Sequence, residues 1–89
     1  MGRAQLTVYG HDYCSLCGVM LEALLPYQKS LGFDISWVDI EGDAALEQRF
    51  GELVPVLMAG ETKICHYHLD ELALQQHFNS ESEKYPPND

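Results

Sequence analysis

The chain has 89 residues, and its 14 acidic and five basic side chains give a formal net charge of −9. This length and an apolar share of 46% indicate a single folded domain rather than a disordered chain. The negative charge disfavours nucleic acids and anionic membranes as partners, and no apolar run reaches the ~20 residues that cross a bilayer.

The first predicted element is a strand over residues 6–10, LTVYG, which is short, β-branched and aromatic and ends in glycine. A helix is predicted from Cys14 onward, because its apolar side chains recur at spacings of three and four residues. Pro26 predicts a kink or an early end of this helix, and Gly32 predicts its C-terminal stop. The alternating segment 33–40 is predicted to be the second strand.

The rest of the chain is predicted to form a short helix capped by Asp43, a β-hairpin and a last helix capped by Asp70. The predicted ranges are 43–50 for the short helix, 54–60 and 62–68 for the hairpin strands, and 70–78 for the last helix. The polar, proline-rich segment 79–89 is predicted to be a disordered tail, so that the domain covers residues 1–78. The order β-α-β-α-β-β-α predicts an α/β fold, a four-stranded mixed sheet with helices on both faces.

The cysteines are candidate functional residues because of their number and setting. An odd count of three disfavours a static disulfide framework. The N-terminal segment has no apolar stretch long enough for a signal peptide, so we expect a cytoplasmic protein. In that compartment thiols stay reduced unless they are catalytic or bind a metal.

The segment CSLC places two cysteines at the start of the first predicted helix, directly after a strand. The free N–H groups and the dipole at a helix N-terminus stabilise a thiolate, which is the reactive form of cysteine. Cys17 lies one helical turn after Cys14 and faces the same side, so its sulfur can reach the first sulfur. The pattern favours thiol–disulfide exchange, in which Cys14 attacks a disulfide and Cys17 resolves the mixed disulfide.

Two other functions are compatible with the same residues. Metal sites use the Cys-x-x-C spacing, and a zinc or iron–sulfur module could combine the pair with Cys65 and with His66 or His68, within one chain or between two. His66 and His68 alternate along the predicted fourth strand and would share one face. The chain could also be a non-catalytic interaction protein.

The segments LTVYG, CSLC, LVPVLMAG and LDEL together resemble the thioredoxin superfamily, and within it the glutaredoxin-like family of short bacterial proteins. The resemblance implies a glutaredoxin-type βαβαββα fold. It also implies that Cys14 is the nucleophile and that Cys17 is the resolving thiol. It also implies a cis Val54–Pro55 bond whose backbone edge receives an extended substrate beside the sulfurs. The resemblance further implies a role in electron transport and cell redox homeostasis, without a bound cofactor or metal.

Further candidate residues flank these anchors. Tyr13 and Leu16 are expected to supply an apolar rim for substrate, and His11, Cys65 and His66 are candidate accessory residues. Cys65 is expected near the cysteine pair, because it ends the predicted fourth strand, and it is compatible with a buried apolar residue, a third redox thiol or a metal ligand. Trp37 is expected to lie in the core on the second strand.

The sequence departs from the glutaredoxin pattern around the pair. Ser15 and Leu16 replace the usual Pro-Tyr, and His11 and Asp12 lie where a fixed cation is common. The segment 65–68 replaces the glycine-containing turn that binds glutathione. These departures disfavour glutathione, so we expect the partner to be a disulfide-bearing protein or another small thiol. We also expect a monomer.

Overall fold

The regular elements follow the predicted order βαβαββα. The structure, a computed structural model, describes residues 4–12 and 14–83, with side chains described as far as Asn79. The elements are β1 (Ala4–Gly10), α1 (Ser15–Tyr27), β2 (Phe33–Asp39), α2 (Ala44–Phe50), β3 (Val56–Ala59), β4 (Thr62–His66) and α3 (Glu71–Glu83), with a π-helical turn (Gln28–Gly32) between α1 and β2.

The strands form one mixed sheet in the order β2-β1-β3-β4. The central strand β1 runs parallel to β2 and antiparallel to β3, and β3 and β4 form an antiparallel hairpin. Gly60 has a φ of +62° in the two-residue turn between Ala59 and Thr62, a conformation that glycine adopts without steric cost. The predicted α/β fold with a four-stranded mixed sheet is confirmed.

Each face of the sheet carries its own apolar core, because successive strand residues point to opposite faces. On one face α1 and α3 pack on the sheet, and this core comprises Leu6, Val8, Met20, Leu24, Phe33, Leu57, Cys65 and Leu74. On the other face α2 packs on the sheet through Ile40, Phe50, Val56 and Met58. Helices therefore cover both faces, as predicted.

Helix α1 changes character just after Pro26. Proline has no N–H to donate to the carbonyl one turn earlier, which weakens the helix at that point. The α-helix ends at Tyr27, and the chain continues as the π-helical turn to Gly32, whose φ is +75°. The predicted early end and the predicted stop at glycine are both found.

Aspartates cap α2 and α3 as predicted. The side chain of Asp43 accepts a hydrogen bond from the Leu46 N–H at 3.1 Å, and the side chain of Asp70 accepts one from the Ala73 N–H at 3.0 Å. Each bond satisfies an N–H group that has no partner inside its helix, a contribution of about 1 kcal/mol.

Two boundaries differ from the prediction. Strand β4 ends at His66 and not at residue 68, because Tyr67 has a φ of +67° and the His68 N–H donates to the His66 carbonyl at 2.7 Å, which forms a γ-turn. Helix α3 continues through Glu83 and so includes residues 79–83 of the predicted tail, since a helix gains a hydrogen bond for each residue added. Residues 84–89 lie outside the described residues. Within residues 4–12 and 14–83, no helix has the length and apolarity needed to span a membrane.

Candidate functional site

Cys14 is the N-cap residue of α1, as the sequence predicts. Its backbone is extended, with φ −94° and ψ 111°, and the chain becomes helical at Ser15. The Cys14 N–H donates to the His11 carbonyl at 3.1 Å, and the Cys17 N–H donates to the Cys14 carbonyl at 3.1 Å. This local turn fixes both cysteines relative to the end of β1, and the half-buried side chain of Cys14 remains accessible.

Cys17 lies beneath Cys14 and is only 2% exposed. Burial and a hydrogen bond to the Cys14 side chain raise the pKa of the Cys17 thiol to about 11, aided by the charge of Cys14, whereas a hydrogen bond from the His11 backbone acts in the opposite direction. Both cysteines are free thiols in the structure. The pair therefore consists of an accessible sulfur and a buried sulfur that stays protonated at neutral pH.

The absence of a side chain at Gly10 leaves the space that the Cys17 sulfur occupies. A methyl group at Gly10 would overlap Cys17 Sγ and would lie 3.0 Å and 3.3 Å from two carbons of the Trp37 ring. The last residue of β1 therefore has to lack a side chain, because the thiol and the indole both pack on its Cα.

Trp37 is not the core residue that the alternation of the second strand predicted. Its side chain is 37% exposed, and it packs beside the cysteine pair on the α1 face of the sheet. The register explains this placement, since Trp37 on the edge strand β2 pairs with Val8 on the central strand β1. The parallel pairing brings the C-terminal ends of β1 and β2 to the same edge, where α1 begins.

A cavity of about 360 Å³ opens at the two cysteines. Its described lining consists of His11, Asp12, Cys14, Ser15, Cys17, Gly18, Leu21 and Trp37. The sulfurs thus lie in a depression with polar residues from the loop before α1 and apolar walls from α1 and β2. We refer to this depression as the cysteine cavity.

The Val54–Pro55 peptide bond is cis, as the resemblance implied. The pairing of β1 with β3 ends at Tyr9 and Val56, and one further step in this register brings Pro55 opposite Gly10. Pro55 is buried, whereas half-buried Val54 packs against the α2 core. The register therefore places the proline beside the strand end on which the Cys17 sulfur packs.

Tyr67 makes two hydrogen bonds to the chain segment that leads into β3. Its N–H donates to the Pro55 carbonyl at 2.9 Å, and its hydroxyl donates to the Glu52 carbonyl at 2.8 Å. The left-handed backbone of Tyr67 is costly for a residue with a side chain. The two hydrogen bonds bind the γ-turn after β4 to the chain segment that leads into β3.

Cys65 and His66, expected as accessory residues, are not in the described lining of the cysteine cavity. They line a separate depression of about 710 Å³ together with His68 and Asp70. The Cys65 thiol is part of the α1 and α3 core, and burial raises its pKa, although the Asp70 N–H donates to its sulfur at 3.5 Å. The Cys65 thiol therefore belongs to the core, and it is not in the described lining of the cavity that contains Cys14 and Cys17.

The structure does not bring the three cysteines of one chain together as a metal site. Among the residues in 4–12 and 14–83, no three His, Cys, Asp or Glu side chains come together as a metal site requires. The expected face shared by His66 and His68 is also interrupted, because β4 ends before His68.

The remaining predicted site residues are distributed around the helix start. His11 is half-buried and lines the cysteine cavity. Leu16 is half-buried in the first turn of α1 and is not in the described lining of that cavity. Tyr13 lies outside the described residues.

The difference between the two thiols predicts their order of alkylation. We expect iodoacetamide at pH 7 to modify Cys14 and to leave Cys17 unmodified, because Cys17 is buried and its pKa is about 11. Modification of Cys17 should increase as the pH rises from 9 to 11, and peptide mass mapping measures both sites. Equal modification of both residues at pH 7 would contradict this assignment.

Comparison with known proteins agrees with this geometry. Residues 5–79 match the family described as "Glutaredoxin-like domain (DUF836)". The chain belongs to this family. The glutaredoxin-like domain is 32% identical to protein Ne2328 from Nitrosomonas europaea, with a TM-score of 0.79 over 86% of this chain and 93% of that one. It is 35% identical to protein XcR50 from X. campestris, with a TM-score of 0.65 over 84% of this chain and 96% of that one.

Weaker similarities to two further proteins are consistent with this result. Thioredoxin 1 from Thermosipho africanus shares the fold, with a TM-score of 0.58 and 19% identity over 91% of this chain and 99% of that one. An uncharacterized protein of Mycobacterium tuberculosis is 26% identical over 80 residues, which are 84% of this chain and 82% of the relative. The glutaredoxin-like domain thus has the same fold as thioredoxin.

Sequence reasoning missed three residues of this glutaredoxin-like site. The role of Gly10 could have been read from its place at the end of a strand directly before the motif. Trp37 could have been found from the parallel pairing that the crossover requires. Tyr67 gave no signal, because neither its left-handed backbone nor its two long-range hydrogen bonds are visible in the residue pattern.

Proposed function

We propose that this glutaredoxin-like domain is a thiol–disulfide oxidoreductase in which Cys14 is the nucleophile and Cys17 the resolving thiol. The observation that carries the proposal is the inequality of the pair. Cys14 is accessible at the start of α1, and Cys17 is buried beneath it with a raised pKa. A nucleophile needs access to a substrate, whereas a resolving thiol has to reach only the nucleophile's sulfur.

The exchange proceeds in two displacements. The Cys14 thiolate attacks one sulfur of the substrate disulfide, forms a mixed disulfide and releases the other substrate sulfur as a thiolate, which takes up a proton. Cys17 then gives up its proton and attacks the Cys14 sulfur, which releases the second substrate sulfur as a thiolate that is also protonated. The substrate gains two electrons and two protons, and the protein is oxidised to a Cys14–Cys17 disulfide.

The raised pKa of Cys17 suits the second step. A thiol with a pKa of about 11 remains protonated in the resting protein, so it does not compete with Cys14 for substrate. The Cys17 proton leaves when Cys17 attacks, and the substrate thiolate released in that second displacement takes it up. The reverse sequence, in which the protein disulfide oxidises a dithiol, uses the same bonds.

The loop before β3 is the proposed docking edge for the substrate backbone. Pro55 directly precedes Val56, the last β3 residue paired with β1, and its carbonyl accepts the hydrogen bond from the Tyr67 N–H. An extended substrate segment could then pair with the Val54 backbone by strand-like hydrogen bonds while its sulfur approaches Cys14. Leu16, in the first turn of α1, is proposed to border this edge.

We propose a disulfide-bearing protein or a small thiol as the partner, and the cytoplasm as the compartment. The half-buried Cys14 lines the cysteine cavity, where either kind of partner would meet its sulfur. The reaction needs no cofactor beyond a dithiol reductant that restores the pair.

Oxidation followed by disulfide mapping tests the proposal. The purified, fully reduced protein is treated with one equivalent of a small neutral disulfide, alkylated and digested. We expect a Cys14–Cys17 disulfide and an unmodified, reduced Cys65, because Cys65 belongs to the core. A disulfide that includes Cys65, or complete recovery of three reduced thiols, would contradict the proposed function.

A further inference from the structure

We propose that Trp37 makes the cysteine cavity selective for protein disulfides in which an aromatic or large aliphatic side chain adjoins the reactive half-cystine in an uncharged or basic segment. This inference rests on the proposed function and names its substrate class. Glutathione disulfide, which is small and anionic, is the disfavoured substrate.

The apolar wall of the cavity is the first support. Trp37 exposes 37% of its surface and lines the cavity together with Leu21 and both cysteines. An apolar side chain placed beside the substrate sulfur would cover this ring when that sulfur meets Cys14. Aromatic side chains give up a large apolar area and gain further attraction when their rings pack at an angle or offset.

The rigidity of Trp37 is the second support. The ring packs on the Cα of Gly10, beside the Cys17 sulfur, and its strand position is paired with Val8. A ring held in this way loses little conformational entropy when a partner binds, so more of the contact energy appears as affinity. The size of the cavity, about 360 Å³, is within the range of sites that hold small ligands or single side chains.

Charge is the third support. Asp12 is exposed at the cavity, and none of its described lining residues is Lys or Arg. The described Lys and Arg side chains lie elsewhere, since Lys29 is in the π-helical turn after α1, Lys63 lines the depression at Cys65, and Arg49 stacks over the Phe50 ring at 4.8 Å. With a net charge of −9, the protein repels an anionic tripeptide disulfide and attracts a basic segment.

The chemical step is the exchange described above. The substrate disulfide gains two electrons and two protons, and the Cys14–Cys17 dithiol becomes a disulfide. Trp37 takes no part in the transfer of electrons or protons, and it acts by binding the side chain next to the attacked sulfur.

Matched peptide disulfides test the selectivity. Two symmetric peptide disulfides of identical basic sequence are used, with either Phe or Gly before the cysteine, together with oxidised glutathione and a small neutral disulfide. Single-turnover rates are measured with fully reduced protein by acid quench and chromatography. We expect the Phe peptide to react about tenfold faster than the Gly peptide, and at least about tenfold faster than oxidised glutathione.

Three variants assign the preference to the ring. Trp37→Ala should reduce the Phe-over-Gly ratio to about twofold or less, and Trp37→Phe should restore most of it. Leu72→Ala removes a side chain that is 64% exposed on α3 and outside the described lining of the cysteine cavity, so the ratio should be unchanged. Circular dichroism and thermal unfolding check that each variant is folded, and the ratio within one variant is independent of its active fraction.

The outcomes separate the two claims. An equal rate for both peptides, a ratio that survives in Trp37→Ala, or oxidised glutathione as the fastest substrate would overturn the inference and leave the exchange chemistry standing. Failure of every disulfide, including the small neutral one, to form the Cys14–Cys17 bond would overturn the proposed function and the inference with it.

Discussion

Replacing Cys14 with serine is expected to lower the rate of disulfide reduction by at least about 1,000-fold, because a hydroxyl group does not replace a thiolate in the first displacement. Cys17→Ser should retain that displacement and should accumulate the mixed disulfide on Cys14, since the resolving sulfur is missing. Single-turnover assays measure the first effect, and mass spectrometry of the intact protein measures the second as an added substrate mass.

Cys65→Ser is the matched control for these two variants. Cys65 is buried in the α1 and α3 core and is not in the described lining of the cysteine cavity, so its loss should leave the exchange rate within about twofold of the original. An exchange rate that falls as far in Cys65→Ser as in Cys14→Ser, with the fold retained, would contradict the assigned roles.

Gly10→Ala is expected to destabilise the protein by about 1–3 kcal/mol, the usual cost of overpacking a filled interior. The added methyl group would overlap Cys17 Sγ and press on the Trp37 ring, so the thiol or the indole has to move. Urea unfolding measures the change in free energy of unfolding. Alkylation at neutral pH measures whether the Cys17 thiol has become more accessible.

Gly18→Ala is the control for this substitution. Nothing lies within 4 Å of a methyl group at Gly18, which is an exposed residue of α1. We expect Gly18→Ala to stabilise the protein by about 0.5–1 kcal/mol, because alanine loses less backbone entropy than glycine in a helix. If Gly10→Ala were as stable as the original protein and its Cys17 equally unreactive, Gly10 would not be the residue that gives the thiol its place.

The fold could be predicted from the sequence because the strongest signals for helices and strands are local. The spacing of apolar residues along α1, the caps Asp43 and Asp70, and the strand that precedes the Cys-x-x-C motif are each decided by a few neighbouring residues. Together they predict the element order and the mixed sheet, and the structure has both.

The candidate site was less predictable because its remaining parts come from distant segments. Trp37 alternates like a core residue, yet β2 is an edge strand and the parallel register turns the indole toward the cysteines. Cys65 was expected near the pair from its place at the end of a strand, but its side chain enters the core on the α1 face. The loop before β3 is held by Tyr67, whose two hydrogen bonds join residues far apart in the sequence.

The central claim is that Cys14 and Cys17 form a reversible two-electron couple. An equilibrium redox titration tests it most directly, with the fluorescence of Trp37, the single tryptophan of the chain, as the signal beside the sulfurs. We predict one two-electron transition between about −270 and about −120 mV, the range of Cys-x-x-C oxidoreductases, with Cys65 reduced throughout. A pair that stays reduced across this range would contradict the account.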